Sequence, residues 1–252
     1  MAVSRNLPAT YASLAPFRGY FEAGLPILMY HKLGPRPPKV RLKGLYVGAR
    51  LFERQLRELR QAGYRSCDFD ALGQGQAAGP RQIGITFDDG YVNVLRHGLK
   101  PLAEHGFQAL QYIVADHIGK GNDWDLAEGE AYEPLMDLGQ LREWIGAGHL
   151  IGSHTSSHAW LPKLSLAQAR EEIVSSKKKL EDLFGIPITH FCYPYGQWNE
   201  AVRDLVIEAG YRTATTTHFG LNQPATSPFE LLRIQARYQS WGLRSLRQRL
   251  FG

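Results

Sequence analysis

Apolar positions recur along the chain with two different periods. Phe52, Leu56 and Leu59 are spaced by four and three, and Leu180, Leu183 and Phe184 follow Ile173 and Val174 with a similar helical rhythm. Each set lines one face of a helix. Ser165 in "LSLAQAREE" stands where an N-cap for the second helix would be. Between the helical stretches lie seven short runs with strand character: "LPILMYH", "IGITFDD", "QALQYIVA", "HLIGSH", "THFCYP", "YRTATTT" and "ELLRIQAR".

Five junctions share one local pattern: "QAGYR", "EHGFQ", "GAGHLIG", "LFGIPITHF" and "EAGYRTA". Each reads as a helix end, a glycine able to take the left-handed capping conformation, and an entry into a strand. Helices alternating with strands in this way predict βα units around a mostly parallel sheet, either a barrel or open. Leu7 to Gly24, the "GQGQAAGPRQ" stretch and residues 116 to 134 look irregular, and the last bears aromatics and is a candidate lid. One domain is expected over residues 1–252, with a core at about 25–238, an irregular amino-terminal arm and a short carboxy-terminal helix.

Composition narrows the class. The 252 residues are 44% hydrophobic and 21% charged, enough for one sizeable core. The net charge of +5 is dispersed, and its one dense run, "SSKKKLED", reads as the wet face of a helix, so no nucleic-acid partner is expected. Cys67 and Cys192 sit in unrelated contexts, which speaks against a disulfide. No stretch has the length of a signal peptide or a membrane span, so a cytoplasmic protein is expected, unless an export signal has been removed. Oligomeric state is not legible.

The unusual chemistry gathers at the carboxyl ends of the candidate strands, where His31, Asp88, Asp89, His154 and Tyr193 lie. This is where βα loops build the active sites of barrels. Adjacent aspartates repel, and a divalent metal would hold them. "SHTSSH" spaces His154 and His158 four apart, which on one helical turn aims both imidazoles at a common point. With Asp89 as a third donor the set suits zinc, or another divalent ion such as nickel or cobalt, and leaves room for water. Asp88, one position out of phase, is then free to accept a proton from that water.

The sequence resembles the polysaccharide deacetylase superfamily, carbohydrate esterase family four, also called the NodB-homology domain. "TFDDG" matches its first motif, "HTSSH" its second, and "YPYG" a variant of its third, and the resemblance spans roughly Pro26 to Arg237. It implies a distorted (β/α) barrel of about seven parallel strands. It also implies one divalent metal on Asp89, His154 and His158, with Asp88 as the general base. The oxyanion would be met by the metal and the backbone N–H of Tyr195, with Pro194 and Tyr193 of the same motif as further candidates on the substrate side.

Two positions depart from the family pattern. Tyr193 stands where many members carry an arginine that orients the base, and Arg233 on the last strand is the candidate to fill that gap. The family's carboxy-terminal Leu-x-His is missing. "ILMYHKLG" is similar instead to the amino-terminal segment of the circularly permuted branch that includes poly-β-1,6-N-acetylglucosamine deacetylases, which makes His31 the general acid. His31 is expected to face the metal water from the side opposite the base.

Among the other histidines, His97, His105, His117, His149 and His190 read as structural or solvated, and His218 as a candidate cleft residue. Trp124 and Trp198 are placed either to stack on a sugar or to pack in the core. The expected activity is metal-dependent hydrolysis of the acetamide of an N-acetylhexosamine unit in a glycan or glycan precursor, releasing acetate. The alternatives are an amidohydrolase of the same fold acting on a non-sugar amide, and an inactive glycan-binding relative.

Overall fold

The computed structural model describes residues 7–38, 40–126 and 129–237. The expected carboxy-terminal helix lies outside the described residues. The strands are β1 (Ile27–Tyr30), β2 (Lys32–Leu33), β3 (Tyr46–Val47), β4 (Arg65–Ser66), β5 (Gln82–Phe87), β6 (Leu110–Ile113), β7 (Leu150–Ser153), β8 (His190–Cys192), β9 (Thr213–Thr215) and β10 (Ile234–Gln235). The helices are α1 (Arg18–Phe21), α2 (Ala49–Gln61), α3 (Phe69–Gly73), α4 (Val92–His105), α5 (Asp123–Leu126), α6 (Leu138–Gly146), α7 (Leu166–Phe184) and α8 (Glu200–Glu208).

The main sheet runs β10-β1-β5-β6-β7-β8-β9, with every neighbour pair parallel, and β4 pairs with β5 outside that path. The sheet curls into a distorted (β/α) barrel, as expected. Its ends approach each other through Leu231, which bridges Thr215 in parallel just before the chain enters β10. Each of the seven predicted strand runs contains one strand of this path. The short β2–β3 pair has no counterpart among them.

All five predicted junction glycines, Gly63, Gly106, Gly148, Gly185 and Gly210, take positive φ between 65° and 86°. That conformation lets an N–H turn back onto the helix end before the chain re-enters the sheet. Gly152 has a different reason to be glycine. A Cβ there would lie 2.7 Å from the His190 carbonyl oxygen on β8 and 2.8 Å from the Tyr112 ring, so β7 could not sit so close to its neighbours.

Phe52, Leu56 and Leu59 are buried on α2, and Ser165 caps α7 in a reciprocal box with Gln168. The α7 stripe is narrower than its apolar pattern predicts. Ile173 and Leu180 are buried, Leu183 and Phe184 are half-buried, and Val174, one position out of phase, faces water. Among the described residues, the stretch from Leu7 to Gly24 carries a 3-10 turn at Ala15–Phe17 leading into α1. Its Tyr11 donates its N–H to the Gln235 carbonyl (2.8 Å) and accepts from the Arg237 N–H (2.8 Å), extending the sheet beyond β10. Tyr11, Leu14, Phe17 and Phe21 join the core. No helix among the described residues is long and apolar enough to cross a membrane.

Candidate active site

Strand register brings the site together. Tyr30 on β1 is level with Phe87 on β5, so His31 and Asp88 leave their strands side by side. Ile113 on β6 is level with Ser153 on β7, and the His154 N–H donates to the Ile113 carbonyl at 2.8 Å. β8 ends at Cys192, immediately before the Tyr193–Gly196 turn, and Arg233 stands one residue before β10.

Arg233 fills the arginine gap from the opposite end of the chain. Its guanidinium donates from Nη1 to Asp88 Oδ1 (2.7 Å) and from Nη2 to Asp88 Oδ2 (2.8 Å), a bidentate pair. The Nε hydrogen goes to the Thr216 carbonyl (2.7 Å), Nη1 also reaches Thr86 Oγ1 (3.1 Å), and Nη2 reaches Cys192 Sγ (3.2 Å). Arg233 is only 1% exposed, yet each guanidinium nitrogen has an acceptor, as a buried charge requires. Burial alone would push the Asp88 carboxyl up. The Arg233 charge, and then His31, outweigh it and hold Asp88 below its ordinary value.

Asp89 lives in a different environment. It takes the left-handed φ of +74°. Its Oδ1 is buried without a hydrogen-bond partner and lies 3.4 Å from Nε2 of both His154 and His158. Burial raises the Asp89 carboxyl, and the two imidazoles more than offset this, leaving it well below its ordinary value. His154 Nδ1 lies 2.8 Å from the Cys192 carbonyl, which can only accept. Nδ1 therefore carries a proton, which leaves Nε2 as the atom that faces Asp89 and could bind a cation.

These three donor atoms lie within 4.8 Å of one another and fit a divalent cation. The set is two imidazole nitrogens and an otherwise orphaned carboxylate oxygen, which suits zinc. Asp88, His154 and Cys192 meet the same distance limit. However, the Arg233 guanidinium already occupies Asp88 and Cys192 and would repel a second cation.

The two histidines do not share a helical turn, as their spacing predicts. Residues 154–158 form a loop with Thr155 (φ +67°) and His158 (φ +64°) both left-handed. Glu172 on α7 holds this loop open by accepting the Ser156 and Ser157 N–H groups at 3.0 and 2.9 Å. The common aim survives, with ring centroids 4.9 Å apart.

His31 reaches the cleft, but beside the base candidate rather than across from it, with Nε2 3.7 Å from Asp88 Oδ2. Burial lowers its pKa below the ordinary histidine value, against the opposing pull of Asp88 and Asp89. Tyr195 is left-handed (φ +60°), its ring 4.7 Å from that of His158. Pro194 is buried. Tyr193 is turned away from the site. It is fully buried, and its hydroxyl donates to the Phe229 carbonyl at 3.1 Å.

The expected lid carries structure of its own. A 3-10 turn spans Ala115–His117, α5 follows, and isolated bridges tie Gly121 to Pro134 and Tyr91 to Leu135. Trp124 of α5 stacks on the His158 ring (4.6 Å, 18°) and is a wall of the site. His149 and His190 are buried with their pKa values lowered to about 4 by desolvation, while His218 is exposed.

Sequence reasoning missed Thr86, Thr216 and Cys192 as partners of Arg233. Thr86 was in view as the first residue of "TFDDG". It also missed Lys32, wholly buried, its ammonium 5.0 Å from the Tyr46 ring and 4.6 Å from the Tyr91 ring.

Comparison with known proteins places this geometry. YxkH of Bacillus subtilis, named as a polysaccharide deacetylase, is 27% identical over 217 residues, covering 84% of this chain and 71% of its own length. The chitooligosaccharide deacetylase of Azorhizobium caulinodans is 31% identical over 144 residues, 55% of this chain and 61% of its own. The structure of IcaB from Ammonifex degensii superimposes with a TM-score of 0.75 at 23% identity, over 86% of this chain and 94% of its own, which shows a shared fold. The family model for polysaccharide deacetylase matches residues 75–214, more than half of the sequence, and on that match the chain belongs to the polysaccharide deacetylase family.

Proposed function

We propose that the protein is a metal-dependent N-deacetylase that hydrolyses the acetamide of an N-acetylhexosamine unit in a glycan or glycan precursor. The observation that carries this reading is the contrast between two neighbouring carboxylates. Asp88 is clamped by Arg233 and kept ionised, and Asp89 Oδ1 faces two imidazole nitrogens with no other partner. Membership of the deacetylase family and the name of the chitooligosaccharide-acting relative support the substrate class.

Asp89, His154 and His158 would hold the cation, which when bound supplies a Lewis acid for the amide carbonyl and an acidified water. Asp88 accepts the proton of the attacking water on a carboxylate oxygen. Arg233 fixes the plane of that carboxylate and keeps it charged at neutral pH. The Tyr195 N–H is the candidate donor to the developing oxyanion. His31 Nε2 carries a proton to the leaving amine, which is too basic to depart as an anion. Its position 3.7 Å from Asp88 Oδ2 lets a small shift pass the proton from base to acid.

The test is acetate release from N-acetylglucosamine oligomers by chelator-stripped protein, before and after one equivalent of zinc, nickel or cobalt. Activity restored by stoichiometric metal is expected, and full activity in the stripped protein would refute metal dependence. His31→Ala should lose amide hydrolysis by a factor on the order of 10²–10⁴, with a smaller loss on an ester. Equal losses on both would remove His31 as the acid.

A further inference from the structure

The tryptophans near the cleft differ in what they can offer a ligand. Trp124 is committed to His158 on one side and to His117 on the other (5.0 Å, edge-on). Trp198 is half-buried against Tyr193 (6.1 Å) and Arg203 (5.8 Å). Trp160, which no motif singles out, is 40% exposed. It packs on the Tyr195 ring at 5.3 Å and 32°, and Tyr195, itself 43% exposed, packs edge-on against His158 at 4.7 Å. Two ring-to-ring steps therefore lead from a candidate metal ligand to exposed aromatic surface.

This shelf is built stiffly. Leu161 beside Trp160 is 1% exposed and anchors the loop, and the Lys163 N–H donates to the Trp160 carbonyl at 2.9 Å. Gly196, after the left-handed Tyr195, packs so tightly that a Cβ would lie 2.1 Å from Thr217 Oγ1. The exposed Lys163 places its ammonium 3.7 Å over the Trp160 ring. That contact marks the indole face as one that attracts positively polarised groups. The C–H face of a pyranose has the same polarity and the breadth to displace a flexible lysine.

We infer that Trp160 and Tyr195 form a stacking shelf for a second sugar ring of the substrate, adjoining the unit whose acetamide is cleaved. The inference rests on the glycan reading above and deepens it. Trp160 then sets how strongly this chain favours an oligomer over the monosaccharide.

The experiment has a binding arm and a rate arm. In an Asp88→Asn background, which suppresses turnover, calorimetry measures Kd for the N-acetylglucosamine pentamer and monomer, with and without Trp160→Ala. Loss of one aromatic contact should weaken the pentamer by about 3- to 10-fold and the monomer by less, and Trp160→Phe should retain most of the affinity. In the otherwise native enzyme, the ratio of kcat/KM for pentamer over monomer should fall by a similar factor in Trp160→Ala. An unchanged pentamer Kd, or equal loss on pentamer and monomer, overturns the shelf. Binding that depends on Trp160 without acetate release from either sugar leaves the shelf standing and sinks the deacetylase reading. Acetate release indifferent to Trp160 does the reverse.

Discussion

Asp88 and Asp89 are chain neighbours at the end of one strand, yet they belong to two unlike halves of the site. The Asp88 half is saturated, with Arg233 spreading its hydrogen bonds over Asp88, Thr86, Thr216 and Cys192. The Asp89 half is starved, its Oδ1 buried and unpartnered between two imidazole nitrogens. Buried polar atoms are rarely left unpaired, because the cost is the full desolvation of the group. One half is therefore complete as folded, and the other has the donors that a cation would complete, as proposed above. The same residue type can serve two purposes because the partners differ: Arg233 takes both oxygens of Asp88, while Asp89 Oδ1 meets only the two imidazoles.

The sharpest way to break that comparison is to exchange each carboxylate for its amide. Asp88→Asn keeps size and accepts one hydrogen bond from Arg233, but it cannot take a proton. The rate should fall by a factor on the order of 10²–10⁴ while zinc stoichiometry stays near one. Asp89→Asn should instead lose metal, and activity with it. Metal content by elemental analysis and acetate release, measured on both variants, decide the matter. Parallel loss of metal in Asp88→Asn would show that the halves are not distinct.

Much of this division was legible beforehand, and the reasons differ residue by residue. The strands and their junction glycines follow from local chemistry, since apolar runs and left-handed caps need no tertiary context. The candidate donors could be named because "FDDG" and "HTSSH" are short motifs at strand ends. Their backbone was not legible, because the loop at 154–158 is held by Glu172 from α7, a long-range partner that spacing cannot reveal. Arg233 could be named because Tyr193 leaves the family's arginine position open, yet its contacts with Thr216 and Cys192 depend on how the sheet curls to bring β8, β9 and β10 together. Tyr193 was misplaced for a related reason: strand alternation sends it to the core, where the Phe229 carbonyl satisfies its hydroxyl. Trp160 was overlooked because exposure is a property of the fold, not of the motif.

Arg233→Met sharpens the comparison from the saturated side. It leaves a buried carboxylate without its counter-charge, so stability at neutral pH should fall by about 3–5 kcal/mol. The sign with pH follows from Asp88. In the native protein its folded pKa lies below the unfolded value, so its contribution is present above about pH 3.9 and is lost as pH falls through the folded pKa. Without Arg233, burial raises the folded pKa above the unfolded value. The stability deficit of the variant should then be largest at neutral pH and shrink on acidification, as Asp88 takes up a proton. The acidic limb of the pH–rate profile should move to higher pH for the same reason. Urea unfolding at several pH values and kcat/KM across pH measure both. An unmoved limb would mean that Arg233 does not hold the charge of Asp88.

Thr86→Val tests whether the saturated half depends on charge or on the number of its hydrogen bonds. Thr86 is fully buried, and its hydroxyl donates to the Leu28 carbonyl at 2.9 Å while accepting from Arg233 Nη1 at 3.1 Å. Valine matches its shape but removes both bonds, which should cost about 1–3 kcal/mol of stability. The bidentate contact between Arg233 and Asp88 remains, so the base stays charged and oriented. The rate should change by less than about tenfold, a barrier change of about 1.4 kcal/mol. The acidic limb should stay in place, because no charge near Asp88 has been removed. Chemical denaturation and a pH–rate profile on this one variant separate the outcomes. A limb that moves as far as in Arg233→Met would show that Thr86 is needed to hold the guanidinium in place. A rate loss above about a hundredfold with normal stability would mean that the hydroxyl touches the substrate, and Thr86 would have to be reassigned to the cleft.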